Sequence, residues 1–305
     1  MAGRTVVISG AGGFIGSKIT EALKTRGDTV VALTRGEGGD GSIHGSIHGS
    51  IHWDPSIGDL APQQLEGADA VVHLAGESIA GLWTAGKKRA IVDSRRQGTE
   101  LLTSTIASLE RPPVVFVSSG AIGIYGSRGD EVLTEESGKG DGFLADVVDI
   151  WENSARSARD AGIRTVNLRV GLVLGKDGGM LGPMRPLFKL GAGGKLGGGD
   201  QWWSWVTVDD VVRAFLFAID NDTLDGAYNV AAPHPVTNAE FTKAFAAAVH
   251  RPALLPAPRF ALKLAMRDMA DEMLLASQRV DSSKLRAAGF VFEDDDLAQA
   301  LAGNV

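Results

Sequence analysis

Short β-branched runs alternate with longer stretches of helical spacing through the first 170 residues. Thr5–Ser9, Thr29–Thr34, 70–74, 114–118 and 165–170 read as strands. Phe14, Ile15, Ile19, Ala22 and Leu23 recur at helical spacing, and Gly27 stops that run. Residues 85–109 and 146–161 read as two further helices. The strands are apolar on both faces, which predicts an α/β fold: a doubly wound parallel sheet covered by helices on both sides. After Val170 the pattern changes. A glycine-dense stretch, 191–199, leads into Gln201-Trp202-Trp203-Ser204-Trp205. Thr207 with Asp210 approximates a capping box and opens a helix to about Ile219. Thr237 with Glu240 is a full capping box. Helical stretches at 260–275 and 297–301 follow a rigid connector of Pro252, Pro256 and Pro258. The expected organisation is a parallel-sheet domain over 1–170, with some later segments returning to it. A smaller, mainly helical C-terminal lobe would span 171–305.

Composition narrows the classes. Cysteine is absent, so disulfides, thiolate metal sites and a Cys nucleophile are excluded. Net charge is −7, and phosphate neutralisation needs clustered Lys and Arg, so no nucleic-acid partner is expected. No apolar run reaches membrane-spanning length, and no signal segment is legible, so a cytoplasmic protein with no membrane partner is expected. Glycine is in excess, 40 of 305 residues, about twice the usual share. Three of these belong to a threefold repeat, Gly-Ser-Ile-His over 41–52. We read it as a surface loop whose last copy enters a strand at 51–53, and we assign no metal site to its histidines.

The most informative segment is Ser9-Gly10-Ala11-Gly12-Gly13-Phe14-Ile15-Gly16, which joins the first strand to the first helix. Gly10 allows the tight turn, Gly13 leaves room for a diphosphate against the backbone, and Gly16 lets the helix pack closely. The helix N-terminus offers free N–H groups and a positive dipole. Placed in a strand–helix–strand unit, this is a dinucleotide-binding pattern. The second strand ends Leu33-Thr34-Arg35, with no carboxylate before Glu37. Arg35 suits a 2′-phosphate, so NADP is expected over NAD.

This glycine motif, His73-Leu74-Ala75-Gly76, and Ser118-Ser119 with Tyr125-Gly126 resemble the extended short-chain dehydrogenase/reductase superfamily. Ala75-Gly76-Glu77-Ser78-Ile79-Ala80-Gly81, Asp93-Ser94-Arg95, the Trp202–Trp205 cluster and Ser277-Gln278-Arg279 are similar to its atypical epimerase-like branch, the SDR39U1-like family. The resemblance implies a cofactor site over Gly10, Gly13, Phe14, Ile15, Gly16, Thr34, Arg35, Leu74, Ala75 and Gly76. It implies a small-molecule substrate and, by analogy, a homodimer through the helices at 85–109 and 146–161. It also exposes a break. The superfamily's catalytic Tyr and the Lys four residues later are missing. Tyr125 and Tyr228 are followed at that spacing by Gly129 and Ala232, and Phe143 and Val147 stand where the pair should fall. A Ser usual in the branch is Gly120 here. Tyr125, Glu77 and Ser118 are therefore the candidate catalytic groups. Two of them have a plain alternative: Tyr125 as a packed loop aromatic, Glu77 as a loop-bonding carboxylate. Arg95, Trp83 and Trp202 are the candidate substrate contacts, Arg95 for an anion or as a partner of Glu77. The tryptophans could equally seal the two lobes together. Two functions remain open at this point: an NADP-dependent epimerase-like oxidoreductase, or an NADP(H)-binding sensor or scaffold without turnover. A protein-interaction role of the C-terminal lobe without nucleotide is a weaker third.

Overall fold

A computed structural model describes residues 3–35 and 49–305. In chain order the first part carries β1 (Thr5–Ser9), α1 (Phe14–Thr25), β2 (Thr29–Thr34), β3 (Gly49–His52), β4 (Ala70–His73) and α2 (Ala85–Ala107). It continues with β5 (Val115–Ala121), β6 (Val132–Leu133), α3 (Phe143–Asn153), α4 (Arg156–Asp160) and β7 (Arg164–Val170). The rest holds β8 (Leu172–Gly175), β9 (Gly178–Gly179), α5 (Leu181–Lys189), β10 (Trp202–Trp203), β11 (Trp205–Thr207), α6 (Val208–Asp220) and β12 (Gly226–Val230). It ends with β13 (Val236–Thr237), α7 (Asn238–Ala248), α8 (Arg259–Met266), a π-helical turn over Ala270–Leu274, β14 (Arg279–Val280), α9 (Ser283–Ala287) and α10 (Leu297–Asn304).

Seven strands form one parallel sheet in the order β12-β7-β5-β4-β1-β2-β3. The expected sheet is present. Its last strand, β12, comes from well beyond residue 170. One face is covered by α1 and α6, whose Ile19, Leu23, Val211 and Phe215 are buried against Val6, Ile8 and Val117. The other is covered by α2 and α4, with Leu102, Ile106 and Ala158 against Val7, Val71 and Phe116. Burial on both sides explains the uniformly apolar strands. The chain leaves β1 toward β2 and β3, then returns to the other side of β1 as β4. The sheet therefore switches direction between β1 and β4, where ligands of open α/β sheets bind.

Several boundaries differ from the sequence reading. The helix expected over 146–161 starts earlier and is broken into α3 and α4. Gly142, at φ 113°, turns the chain into α3, and the Ser154 hydroxyl donates back to the Ile150 carbonyl at the break. The helix expected over 260–275 is interrupted at Arg267, which sits at φ 52°. The Thr237 box is complete. At Thr207 only half of the box forms: its hydroxyl accepts the Asp210 N–H, but the Asp210 carboxylate binds Arg213 and the N–H groups of Glu293 and Asp294. The last copy of the Gly-Ser-Ile-His repeat is β3, which begins two residues before the expected strand. The other two copies, and Glu37, lie outside the described residues. Among the described residues no helix is long and apolar enough to cross a membrane.

Candidate functional site

A cleft of about 570 Å³ opens at the carboxyl edge of the sheet over the switch point. Its lining includes Gly10, Gly13, Arg35, Leu74, Ala75, Gly76 and Glu77 from the sequence reading, and Leu33, Trp53, Asp54, Ser56, Ser94 and Gln97 besides. The glycines divide their work as their spacing implies. Gly10 takes φ 76°, and a Cβ there would lie 2.9 Å from the Ala75 nitrogen. A Cβ on Gly16 would lie 2.1 Å from the Gly10 carbonyl oxygen, so the helix can lie this close only with glycine. A Cβ on Gly13 would point mainly into open space, with only the Gly10 oxygen nearby at 3.3 Å. Gly13 is the N-cap of α1 and brings no side-chain cap. The cleft floor is thus bare backbone at a helix N-terminus, the form that receives a diphosphate.

Not all the expected cofactor residues present side chains to the cleft. The Phe14 ring packs over the β8–β9 hairpin, so closely that a Cβ on Gly175 would meet it at 2.4 Å. Phe14 and Ile15 can serve the cleft only through their backbone at the start of α1. Thr34 is the last residue of β2 and pairs with His52. Leu33 lines the cleft in its stead.

The loop that closes the cleft is fastened from beneath. Ser9 Oγ accepts the N–H groups of Leu74 and Ala75 (3.2 and 3.3 Å) and donates to His73 Nδ1 (2.6 Å). His73 Nε2 donates to Thr99 Oγ1 on α2 (3.0 Å). This network assigns the neutral Nε2-protonated imidazole. Burial, with the charge of Arg95 adding to it, pushes the His73 pKa down to about 3. Ser9 and His73 are both fully buried, so the pair is a clasp beneath the loop and not a nucleophile with its base. Further out, Ser94 Oγ accepts the Glu77 N–H (2.9 Å). Arg95 donates to the Glu77 carbonyl (3.0 Å) and lies over the Trp151 ring (4.9 Å). Burial lowers the Arg95 pKa to about 10, against the charge of Glu77.

The three catalytic candidates fare differently. Tyr125 is fully buried. Its hydroxyl donates to Asn229 Oδ1 (2.7 Å) and accepts from Arg169 Nη1 (3.0 Å). Arg169 in turn makes two 2.8 Å bonds to Glu152. Burial raises the Tyr125 pKa, with Arg169 only opposing it. Tyr125 is therefore corrected from proton donor to core network member. Ser118 is corrected likewise: it is buried, and its hydroxyl donates to the Ser119 carbonyl. Glu77 does line the cleft, but its carboxylate accepts from Lys87 Nζ at 2.5 Å. That hydrogen bond, more than the lysine's charge, holds its pKa below the usual range, so it stands as an anion and not as a proton donor. The Glu77 carboxylate goes to Lys87; what pairs with Arg95 is its backbone carbonyl. Gly120 also has a structural reason. A Cβ there would meet Glu152 Oε1 at 3.2 Å, so the place of a side chain is filled by the Arg169 counter-ion.

The tryptophans separate. Trp83 donates to the Ile79 carbonyl and packs edge-on to Phe143 at 5.1 Å. Trp203 and Trp205 are buried, Trp203 against Phe241. The Trp202 ring N–H donates to Asp130, the ring lies under Arg279 at 4.5 Å, and the backbone N–H donates to Ser277 Oγ. These contacts place Trp202 with the Ser277-Gln278-Arg279 segment, and the cleft-lining residues are not among its partners. That segment is a fastener too, because Gln278 Nε2 donates to the carbonyls of Ile122 and Gly126.

Sequence reasoning missed Lys87, Lys88, Asp268 and Glu272. Lys88 Nζ lies over both Phe143 and Trp83 (5.1 and 5.8 Å) and pairs with Asp268 at 2.8 Å. The Glu272 carboxylate accepts the N–H groups of Phe143 and Leu144 at the start of α3 (3.0 and 2.7 Å). Nothing local in the sequence announces either contact, since about 130 to 180 residues separate the partners. Among the described residues no group of three His, Asp or Glu side chains is placed to hold a metal ion.

Known proteins carry the same architecture. The model of the NAD dependent epimerase/dehydratase family matches residues 6–231, and that of a domain of unknown function, DUF1731, matches 257–303. An epimerase family protein of Mycobacterium bovis is 40% identical over 303 residues, covering 99% of this chain and 97% of its own length. The crystal structure of human epimerase family protein SDR39U1 (isoform2) with NADPH superposes with a TM-score of 0.89 at 32% identity, over 98% of both chains. A nucleoside-diphosphate sugar epimerase from Corynebacterium glutamicum superposes with a TM-score of 0.79 at 36% identity, over 99% of this chain and 58% of its own. With the fold, the glycine cradle and these matches in place, the chain belongs to the NAD dependent epimerase/dehydratase family.

Proposed function

We propose that the protein is a cytoplasmic NADP(H)-binding, epimerase-like oxidoreductase acting on a small molecule. The observation that carries this reading is the bare glycine cradle at the N-terminus of α1, with Arg35 at the rim of the same cleft. The cradle would receive the diphosphate and Arg35 the 2′-phosphate. Asp54 and Ser56 line the same cleft. NADPH in the human relative's structure supports the same choice. When bound, the nicotinamide supplies or removes a hydride. The chain's own residues fix the loop over it: Ser9, His73 and Thr99 hold Leu74 and Ala75, while Ser94 and Arg95 hold Glu77.

The test is a pair of titrations by ligand fluorescence, with NADPH and with NADH. NADPH is expected to bind more tightly, and Arg35→Ala to weaken NADPH alone by about 1–3 kcal/mol, the value of a charge-assisted contact. Tighter NADH binding by the native chain would refute the Arg35 assignment. A second reading is an NADP(H) sensor or scaffold without turnover. It is favoured by Phe143 and Val147 in place of the Tyr–Lys pair and by the burial of the Tyr125 hydroxyl. A metabolite screen for NADPH consumption separates the two. We also take the protein to pair as a homodimer through the faces at 85–109 and 146–161, which are α2 and α3 with α4; light scattering measures this directly.

A further inference from the structure

We propose that Lys88 is the catalytic cation of the reaction end of the cleft, contributed by α2 where the usual lysine of α3 is missing. This rests on the reading that the cleft holds NADP(H). Two points fix how a dinucleotide would run: Arg35 at the end of β2, and the Gly10–Gly13 turn after β1. Continued in that direction, the far end falls over the carboxyl ends of β4 and β5. Lys88 is not among the cleft-lining residues, but it stands at the start of the helix that follows β4, and the Phe143 it faces begins the first α-helix after β5. Lys88 lies in the first turn of α2, next to Lys87, whose ammonium holds the cleft carboxylate Glu77. Its Nζ faces the rings of Trp83, from the loop after β4, and Phe143, the first residue of α3. Two aromatic faces and one carboxylate are a strong holding arrangement for an ammonium.

The C-terminal segment aims this cation. Asp268 takes Lys88 at 2.8 Å, and four residues later Glu272 takes the α3 N-terminus, so one stretch clamps both sides of Phe143. The segment is set by Arg267 at φ 52°, a conformation that favours glycine, and by the π-helical turn that follows. Backbone departures of this kind recur at functional sites. Asp268 occupies one of the three donors of the ammonium. The side chain remains about one-third exposed, at 31%, so a donor can reach a bound substrate.

The chemistry assigned is carbonyl reduction and its reverse. The substrate carbon is reduced by NADPH, which becomes NADP⁺. The oxygen gains the negative charge and takes a proton from the Lys88 ammonium, and the neutral amine regains a proton from water. The substrate class is a ketone or aldehyde, or the corresponding alcohol, small enough to lie beside Trp83.

Sulfite tests this without knowledge of the substrate. It adds through sulfur to the nicotinamide ring of NADP⁺ and leaves an anionic sulfonate there, read by near-ultraviolet absorbance. The full-length protein is saturated with NADP⁺ and titrated with sulfite. A cation at this end stabilises the adduct, so Lys88→Met is expected to weaken sulfite affinity about 10- to 100-fold, the value of a charged hydrogen bond. Its NADP⁺ affinity should be unchanged. Lys88→Arg, which keeps the charge, should retain most of the effect. Asp268→Asn, which frees the ammonium, should keep or raise sulfite affinity. Equal sulfite affinity in Lys88→Met and the native chain would overturn the assignment. So would a native chain that binds NADP⁺ but adds no sulfite. Equal losses in Asp268→Asn and Lys88→Met would reduce the pair to a fastener between α2 and the C-terminal segment. Failure to bind NADP⁺ at all would overturn the cofactor reading itself, and this assignment with it.

Discussion

Replacing Tyr125 by Phe removes one oxygen from a buried polar network. That oxygen accepts from Arg169 Nη1 at 3.0 Å and donates to Asn229 Oδ1 at 2.7 Å. The change leaves one charged donor and one neutral acceptor in a site that water does not reach, since Tyr125 and Asn229 are both fully buried. Arg169 keeps its two bonds to Glu152 and Asn229 Nδ2 its bond to the Asp281 carbonyl, but Arg169 Nη1 and Asn229 Oδ1 lose their partner. Losing a neutral hydrogen bond costs about 1 kcal/mol and losing one to a charged group about 1.5–3, which gives about 2.5–4 kcal/mol in all. For a chain of this size, that corresponds to a fall in Tm on the order of 5 °C. Urea unfolding should show a lower midpoint at an unchanged slope. NADPH affinity should not change, because Tyr125 lies outside the cleft lining. A loss below about 0.5 kcal/mol, the range of ordinary surface substitutions, would refute the assignment of the hydroxyl to a buried hub. So would a variant of native stability that no longer binds NADPH, which would return Tyr125 to the cofactor.

Three further outcomes follow from the geometry. His73 binds its proton only near pH 3 in the folded chain but near 6.5 when unfolded. The unfolded state therefore holds more protons between those values, and stability falls as pH drops through that window by up to about 1.4 kcal/mol per unit. Acid titration of His73→Asn should be flatter there, and an equally steep profile would contradict the buried neutral assignment. Gly16→Ala places a Cβ 2.1 Å from the Gly10 carbonyl oxygen, and overpacking of this kind costs about 1–3 kcal/mol or more. Isothermal titration should show NADPH binding lost in that variant, because the turn itself must move. Glu272→Gln weakens the carboxylate cap on α3, with an expected loss of about 1 kcal/mol. Faster hydrogen exchange at the Phe143 and Leu144 amides reports it, and unchanged exchange would count against the clamp.

The periodicity of the first 170 residues determined the layered sheet, since strands apolar on both faces have no stable place except between two helix layers. The spacing of Gly10, Gly13 and Gly16 announced the bare cradle: the turn at Gly10 and the contact at Gly16 require glycine, and Gly13 leaves the floor between them without a side chain. Two absences were legible as well: the sequence holds no cysteine, and neither tyrosine is followed four residues later by a lysine. Tertiary structure alone decided what the remaining polar residues do. Tyr125 and Ser118 have the right chemical types, but they lie under the sheet edge, where burial and neighbours consume their hydrogen-bonding capacity. Trp202 and Trp83 look alike in sequence, yet one belongs to the Ser277–Arg279 fastener and the other packs against Phe143 and Lys88. Lys88, Asp268 and Glu272 carry no local signal at all. Charge pairing acts over a few ångströms of space, whatever the distance along the chain, and only the fold brings α2, α3 and the C-terminal segment within that reach.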